Sequence, residues 1–267
     1  MGRMDALSAL LNDPAAPRLT TYTEAGRMEL SGQTLQNWQS KVANLLLGLD
    51  AGPGSVIVCD AEPGWQPVTI AVGAWLIGAT VVDARGPLPD SLSDAAGPPV
   101  AAFTDSVELA EQLADEGLGG LDTVGGLGDI GELGEPIEEV FVLSTDPFGR
   151  GVTESGGELP FGLNDFSPEL RVQPDAFLGS SAPVDEGRVL AASGGEQLSE
   201  GQWLATTKND DVAADGERMI FGPWNNAVQL AETVRPWAAG GAVVMSTDAT
   251  PERLAELAAS ENARLVN

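Results

Sequence analysis

The 267-residue sequence contains no histidine. That removes Ser-His-Asp and Cys-His catalytic arrangements, histidine general bases and histidine-containing zinc sites together. There is a single cysteine, Cys59, so no intramolecular disulfide can form; its setting in Val56-Ile57-Val58-Cys59 reads as a buried strand thiol. Basic residues are scarce, 13 Lys and Arg against 40 Asp and Glu, for a formal charge of -27. Nucleic-acid binding through counterion release needs clustered cations, and anionic membrane surfaces repel such a chain, so neither partner is expected. No run of about 18 uninterrupted apolar residues occurs, and no leader-like apolar stretch follows Met1. The expectation is a cytoplasmic protein in which acidity maintains solubility.

What is present is sufficient for a core, since 43% of residues are hydrophobic. Leu35, Trp38, Val42, Leu45, Leu46 and Leu49 recur at spacings of three and four, which predicts an amphipathic helix over residues 33–49. It ends at the breaker cluster Asp50-Ala51-Gly52-Pro53-Gly54. A strand over 56–59, a helix over 67–77 and a strand over 80–82 then give the strand–helix–strand order of a parallel sheet. A strand over 99–103, a helix over 106–115 and a strand over 139–144 repeat it. Residues 117–136 carry a glycine every few positions and read as a loop. Residues 145–186 are rich in Gly, Pro, Ser and acid, with Phe148, Phe161, Phe166, Leu170 and Phe177 as scattered anchors. Order resumes with strands over 188–192, 218–221, 242–246 and 264–266, and helices over 200–208, 227–239 and 251–259, the last with Pro251 at its first position. The fold class is α/β, mostly parallel sheets flanked by helices. A division into lobes at 1–145 and 187–267, joined by an irregular connector or β segment at 146–186, is expected, with one continuous domain as the alternative.

Several segments, in order, carry a resemblance. Leu30-Ser31-Gly32-Gln33-Thr34-Leu35, Gly54-Ser55-Val56-Ile57-Val58 and Gly78-Ala79-Thr80-Val81-Val82 open the chain; Gly216-Glu217-Arg218-Met219-Ile220 and Trp237-Ala238-Ala239-Gly240-Gly241-Ala242-Val243-Val244 close it. This order resembles the front half of the N-terminal domain of the AMP-binding, or adenylate-forming, superfamily, which includes acyl-CoA synthetases. It also resembles a family of short actinobacterial proteins distantly similar to those enzymes.

The resemblance implies a phosphate loop of the form Ser-Gly-Ser-Thr-Gly-x-Pro-Lys-Gly, whose backbone N–H groups and lysine hold ATP phosphates. In register stand Ser193, Gly194, Gly195, Glu196, Gln197, Leu198, Ser199, Glu200 and Gly201, with Glu200 at the lysine position and Glu196 at a threonine position. A carboxylate about 4 Å from a phosphate oxygen is repelled by roughly 1 to 4 kcal/mol. ATP and Mg are therefore expected to bind weakly or not at all, and no catalytic or metal-ligating residue is assigned. The sequence ends at Asn267, ahead of the family's ribose-binding aspartate and catalytic lysine, so adenylation by this chain alone is not expected. Trp224-Asn225-Asn226, where the resemblance places an acyl or aryl pocket, is the candidate ligand site for a small carboxylic or aromatic compound. A protein partner is the other candidate.

Three further patterns are read as structural. Arg150-Gly151-Val152-Thr153-Glu154 looks like the family's Tyr-Gly-x-Thr-Glu motif but precedes the phosphate loop. Gly126-Leu127-Gly128-Asp129-Ile130-Gly131 satisfies the dinucleotide-binding spacing without a helix behind it. Asn209-Asp210-Asp211 with Asp215 and Glu217 misses calcium-loop spacing. The functional expectation is a non-catalytic or degenerate scaffold with a binding or regulatory role. Partner-dependent acid activation and an acidic interaction module are the alternatives.

Overall fold

The computed structural model describes residues 5–85, 89, 92, 97–121, 134–146, 148–205 and 216–266. Its strands form two sheets. In the first, β1 (Pro17–Thr23), β2 (Gly26–Ser31), β10 (Arg218–Phe221), β11 (Ala242–Ser246) and β12 (Arg264–Leu265) lie in the order β12-β10-β11-β1-β2. The second contains β3 (Val56–Asp60), β4 (Thr80–Val82), β5 (Ala101–Thr104), β6 (Val140–Val142), β7 (Asn164–Asp165), β8 (Val189–Ser193) and β9 (Glu196–Ser199), in the order β7-β6-β5-β3-β4-β8-β9. All pairings are parallel except β1 with β2 and β8 with β9. The first sheet thus draws strands from both ends of the sequence, and the second is built from the stretch between them, β3 to β9.

The parallel strands need apolar runs because helices cover both faces. In β3, Ile57 and Cys59 point into one core cluster while Val56 and Val58 point into another. The first cluster is shared by the two sheets, through Leu19, Val243 and Met245 on one side and Ile57, Val81 and Phe103 on the other. It includes α2 (Trp65–Ile77), all thirteen residues of which are buried, so a helix with no polar face is accounted for by its surroundings. The second cluster holds Ala110 and Leu113 of α3 (Val107–Glu116). A third, of Ile220, Val244 and Leu257, seats α7 (Pro251–Ser260) on the other sheet.

Helix α1 (Gly32–Gly48) begins where sequence predicts, with the Ser31 side chain accepting from the Thr34 N–H as its N-cap. Trp75, Trp203 and Trp237 are fully buried, and their indole N–H groups donate to the carbonyls of Leu190, Ala231 and Arg18. Each bond joins segments distant in sequence and satisfies the ring's one polar group. Cys59 is buried, and desolvation raises its thiol pKa well above the ordinary value. Among the described residues no helix is long and apolar enough to cross a membrane.

Besides strand β1, for which no strand is predicted, three segments differ from expectation. The helix predicted over 227–239 is α6 (Ala227–Thr233) followed by a 3-10 turn, Arg235–Ala239, because Pro236 has no N–H to continue the ladder. Within residues 145–186 lie β7 and α4 (Phe166–Arg171), anchored by the Phe103–Phe141–Phe166 ring cluster. The segment 196–199 is a strand, β9, that leads into α5 (Glu200–Ala205).

Helices α1 and α2 approach closely at Gly73, where an added Cβ would lie 2.5 Å from Val42 Cγ1. Gly73→Ala is expected to destabilise the fold by about 1–3 kcal/mol through overpacking. Adding Val42→Ala should recover part of that loss, read as urea midpoints of the single and double variants; an undiminished Gly73→Ala midpoint would contradict this packing.

Candidate functional site

The carboxyl ends of the central strands gather the polar groups. Asp105 follows β5, Asp60 ends β3, Asp83 follows β4 and Ser193 ends β8, so the strand order sets these four side chains in a row along one sheet edge. From β3 the chain crosses to β4 on one side and later to β5 on the other. The crevice outside β3 and β5 is therefore the place where an open α/β sheet binds ligands.

Asp83 is the centre of this row. Its Oδ1 accepts from the Ser193 hydroxyl at 3.0 Å and from the Arg85 N–H at 3.0 Å, and its Oδ2 accepts from the Ala227 N–H at 2.7 Å. The Arg85 guanidinium donates through Nε and Nη2 to Asp60 Oδ1 and through Nη1 to the Asn225 carbonyl, while Asp60 Oδ2 accepts from the Ala84 N–H. Burial pushes the Asp83 carboxyl above the ordinary range, with a smaller push from the Asp60 charge; the three donors pull the other way.

Ser193, Gly194, Gly195 and Glu196 form a two-residue β-hairpin in which Ser193 pairs with Glu196. Both glycines have positive φ, 55° and 80°, the requirement of a tight hairpin whose twist matches its strands. Only these two glycines lie outside the ladder. Glu196 is exposed. Glu200, the first residue of α5, is fully buried, and its Oε2 accepts from Arg188 Nη2 at 2.5 Å and from the Asp185 N–H at 3.0 Å. Gly201 packs against Glu186, so its lack of a Cβ serves that contact.

The Trp224 segment meets the same edge. Trp224 is 5% exposed, and the cavity beside it, bounded also by Asp60, Asp83 and Ala227, holds about 10 Å³, at most the room of one water. The Asn226 side chain caps α6 by accepting from the Gln229 N–H, and the Asn225 N–H and side-chain amide donate to Gln229 Oε1. Both amides are thus engaged locally. The structure brings Ser193, the glycine turn and the Trp224 segment together around Asp83, whereas Glu200 faces away, toward Arg188.

Asp60, Asp83 and Arg85 were not singled out by sequence reasoning. The available signal was an aspartate directly after each of two buried β runs, Val-Ile-Val-Cys-Asp and Thr-Val-Val-Asp, a position that falls on the carboxyl edge of a parallel sheet. In the segment 150–154, Arg150 pairs with Asp146, Glu154 with Arg171, and Thr153 bonds Asp165, a self-contained turn. The glycine pattern at 126–131 and the segment Asn209-Asp210-Asp211 with Asp215 lie outside the described residues; Glu217 pairs with Arg264.

Two outcomes are expected here. Asp83→Asn sets an NH2 group among three donors and should destabilise by about 1–3 kcal/mol. Because burial raises the folded-state pKa of Asp83, its contribution to stability falls as pH rises from the unfolded value near 3.8 through the folded one, so the deficit of the Asn variant should narrow over that window in denaturation midpoints. Glu200→Ala removes the ion-pair partner of the half-buried Arg188, which keeps the Pro183 carbonyl as an acceptor, and should lose about 1–3 kcal/mol. The exposed Glu196→Ala should stay within about 0.5 kcal/mol, and equal losses at the two sites would contradict the assignment.

No protein-family model matches the chain. Its sequence is 32% identical over 253 residues to a TIGR03089 family protein of Mycobacterium tuberculosis, an alignment that spans 93% of this chain and 90% of the relative. Among solved structures it is similar to an acetoacetyl-CoA synthetase from Streptomyces lividans (TM-score 0.64, 17% identity, 97% of this chain and 41% of that one). It is also similar to an acyl-CoA synthetase from Brucella canis (TM-score 0.67, 15% identity, 98% and 47%) and to MatB from Rhodopseudomonas palustris (TM-score 0.62, 14% identity, 97% and 48%). The fold is that of part of an adenylate-forming enzyme, and the chain spans less than half the length of these three structures. At the level of sequence, the identity and coverage shared with the mycobacterial protein place the chain in the TIGR03089 family.

Proposed function

We propose that the chain is a non-catalytic, degenerate adenylate-forming scaffold with a binding or regulatory role. The observation that carries this reading is Asp83. Its carboxylate lies on the Ser193 hydroxyl and the Ala227 N–H, so the protein's own acid takes the donors that the hairpin and the start of α6 would otherwise offer to an anion. A phosphate oxygen approaching the turn also meets the Glu196 carboxylate, and the Arg85 guanidinium is bonded to Asp60 and Asn225. These residues do not fit ATP phosphates, and no step through nucleotide is derived for them. The small space beside Trp224 supports the same reading, since an acyl or aryl group would have to displace core packing to enter.

Calorimetric titration with Mg-ATP and with AMP tests the proposal. Dissociation constants in the millimolar range or weaker are expected, together with no pyrophosphate release in the presence of a panel of carboxylic acids. Micromolar Mg-ATP binding, or accumulation of an acyl-adenylate, would overturn the reading and favour acid activation.

A further inference from the structure

The two sheets end in strands of unequal length. Among the described residues the edge strands β12 and β7 have two residues each and β9 has four, whereas β2 has six. Strand β2 pairs with β1 alone, and from Leu19 with Leu30 to Thr23 with Gly26 the register runs without a shift. An unbroken edge of this kind accepts a further strand unless something blocks it. The groups it offers follow from the hairpin. Thr23 and Gly26 flank the two-residue turn Glu24-Ala25 and exchange hydrogen bonds, so the bonded pairs recur at Thr21 with Met28 and Leu19 with Leu30. The alternate residues turn their backbone away from β2, as the Tyr22 carbonyl shows by accepting from the Thr247 N–H after β11. Opposite them, Arg27 and Glu29 turn their N–H and C=O groups outward, and no described residue bonds them.

The side chains on this edge are self-complementary. Arg27 and Glu29 lie on one face, 42% and 32% exposed, with Met28 between them on the other. Two β2 strands laid antiparallel about Met28 set Arg27 of each copy opposite Glu29 of the other. The outward groups demand the same register, because Arg27 of one copy and Glu29 of the other then exchange main-chain bonds and the two Met28 residues form the closer, non-bonded pair. An edge guarded against association carries charges that repel in self-pairing, whereas these attract. Both side chains are already positioned: Arg27 Nε donates to Tyr22 and Glu261, and Glu29 Oε2 accepts from Thr20 and from Arg27 Nη2. Arg27 Nη1 and Glu29 Oε1 take no bond from any described residue and are left for a partner.

We propose that a second copy of the chain docks on this edge, β2 pairing antiparallel with β2 about a two-fold axis at Met28, so that the two five-stranded sheets become one. Met28 lines a cleft of about 1120 Å³ at the carboxyl ends of β1, β3, β5, β6 and β11, where Glu24, Glu62 and Asp105 also stand, and the Met28 of the second copy comes to rest at its rim. The inference stands whether or not the chain binds a nucleotide. Each copy carries a formal charge of -27, which opposes association at low salt. At physiological salt the Debye length is about 8 Å, so distant charge is screened while pairs about 5.5 Å apart across the edge still attract.

Sedimentation equilibrium of the full chain at about 0.15 M salt is the test. The native chain should pass reversibly from 27.5 kDa to twice that mass as its concentration rises from about 10 μM to about 1 mM, the range of a small, weak contact. Arg27→Glu and Glu29→Arg should each weaken the dimer about tenfold or more, because each sets like charges opposite one another. An equimolar mixture of the two variants should form a heterodimer about as tight as the native dimer, since every pair across the edge is again attractive; loss of folding in either variant gives no such rescue. A chain that stays monomeric at about 1 mM, a dimer unchanged in both variants, or a mixture no tighter than the variants alone would each overturn the proposal. If a variant fails to fold, amide exchange on the native chain decides. The Arg27 and Glu29 N–H groups should gain protection as concentration rises, and exchange there that is independent of concentration overturns the pairing.

Discussion

One carboxylate, that of Asp83, ties together parts of the chain that sequence sets far apart. Its partners are Ser193, 110 residues away, and Ala227, 144 residues away, along with the neighbouring Arg85. Through Ser193 it fixes the end of β8 against β4, and through Ala227 it fixes where α6 begins. Arg85 then extends the connection to Asp60 on β3 and to the Asn225 carbonyl. A buried carboxyl is unfavourable unless its lone pairs are filled, and here three donors from three segments fill them. The same arrangement that holds the sheet edge together consumes the donors a ligand anion would need, which links the packing to the functional reading.

The scaffold around it follows from simple requirements. Parallel strands covered on both faces demand continuous apolar runs, which is why β3, β4, β5 and β6 are short and wholly buried. Helix α2 meets the same demand by having no polar face. Charge is accordingly left to the surface and to strand ends, and the cleft at those ends collects acids because the chain carries three acidic residues for every basic one.

Much of this was legible. Period and punctuation located α1, α2, α3, α7 and the buried strands, since each is long enough in pattern or bounded by Gly and Pro. Strand β1 was missed because its buried stretch, Arg18 to Thr21, alternates nothing: Arg18, Thr20 and Thr21 are buried polar residues, and the Arg18 and Thr20 side chains find partners far along the chain in the Gly240 carbonyl and Arg218. The segment read as a degenerate phosphate loop carries a hairpin at Gly194-Gly195, a geometry that a glycine pair permits but that only the register of β9 with β8 decides. Glu200 illustrates the limit of motif register: position in a pattern gives residue type but not side-chain direction, and the half-buried Arg188 twelve residues earlier sets that direction. The Asp83 cluster was invisible because all but one of its bonds are long-range.

The account rests on Asp83 holding the Ala227 N–H closed to other anions, and amide hydrogen exchange at Ala227 tests this most directly. It predicts that the Ala227 amide of the native chain exchanges as slowly as amides inside α6, and that Asp83→Asn speeds its exchange by about tenfold or more while amides in α2 are unaffected. An Ala227 amide that exchanges like an open loop in the native chain would contradict it.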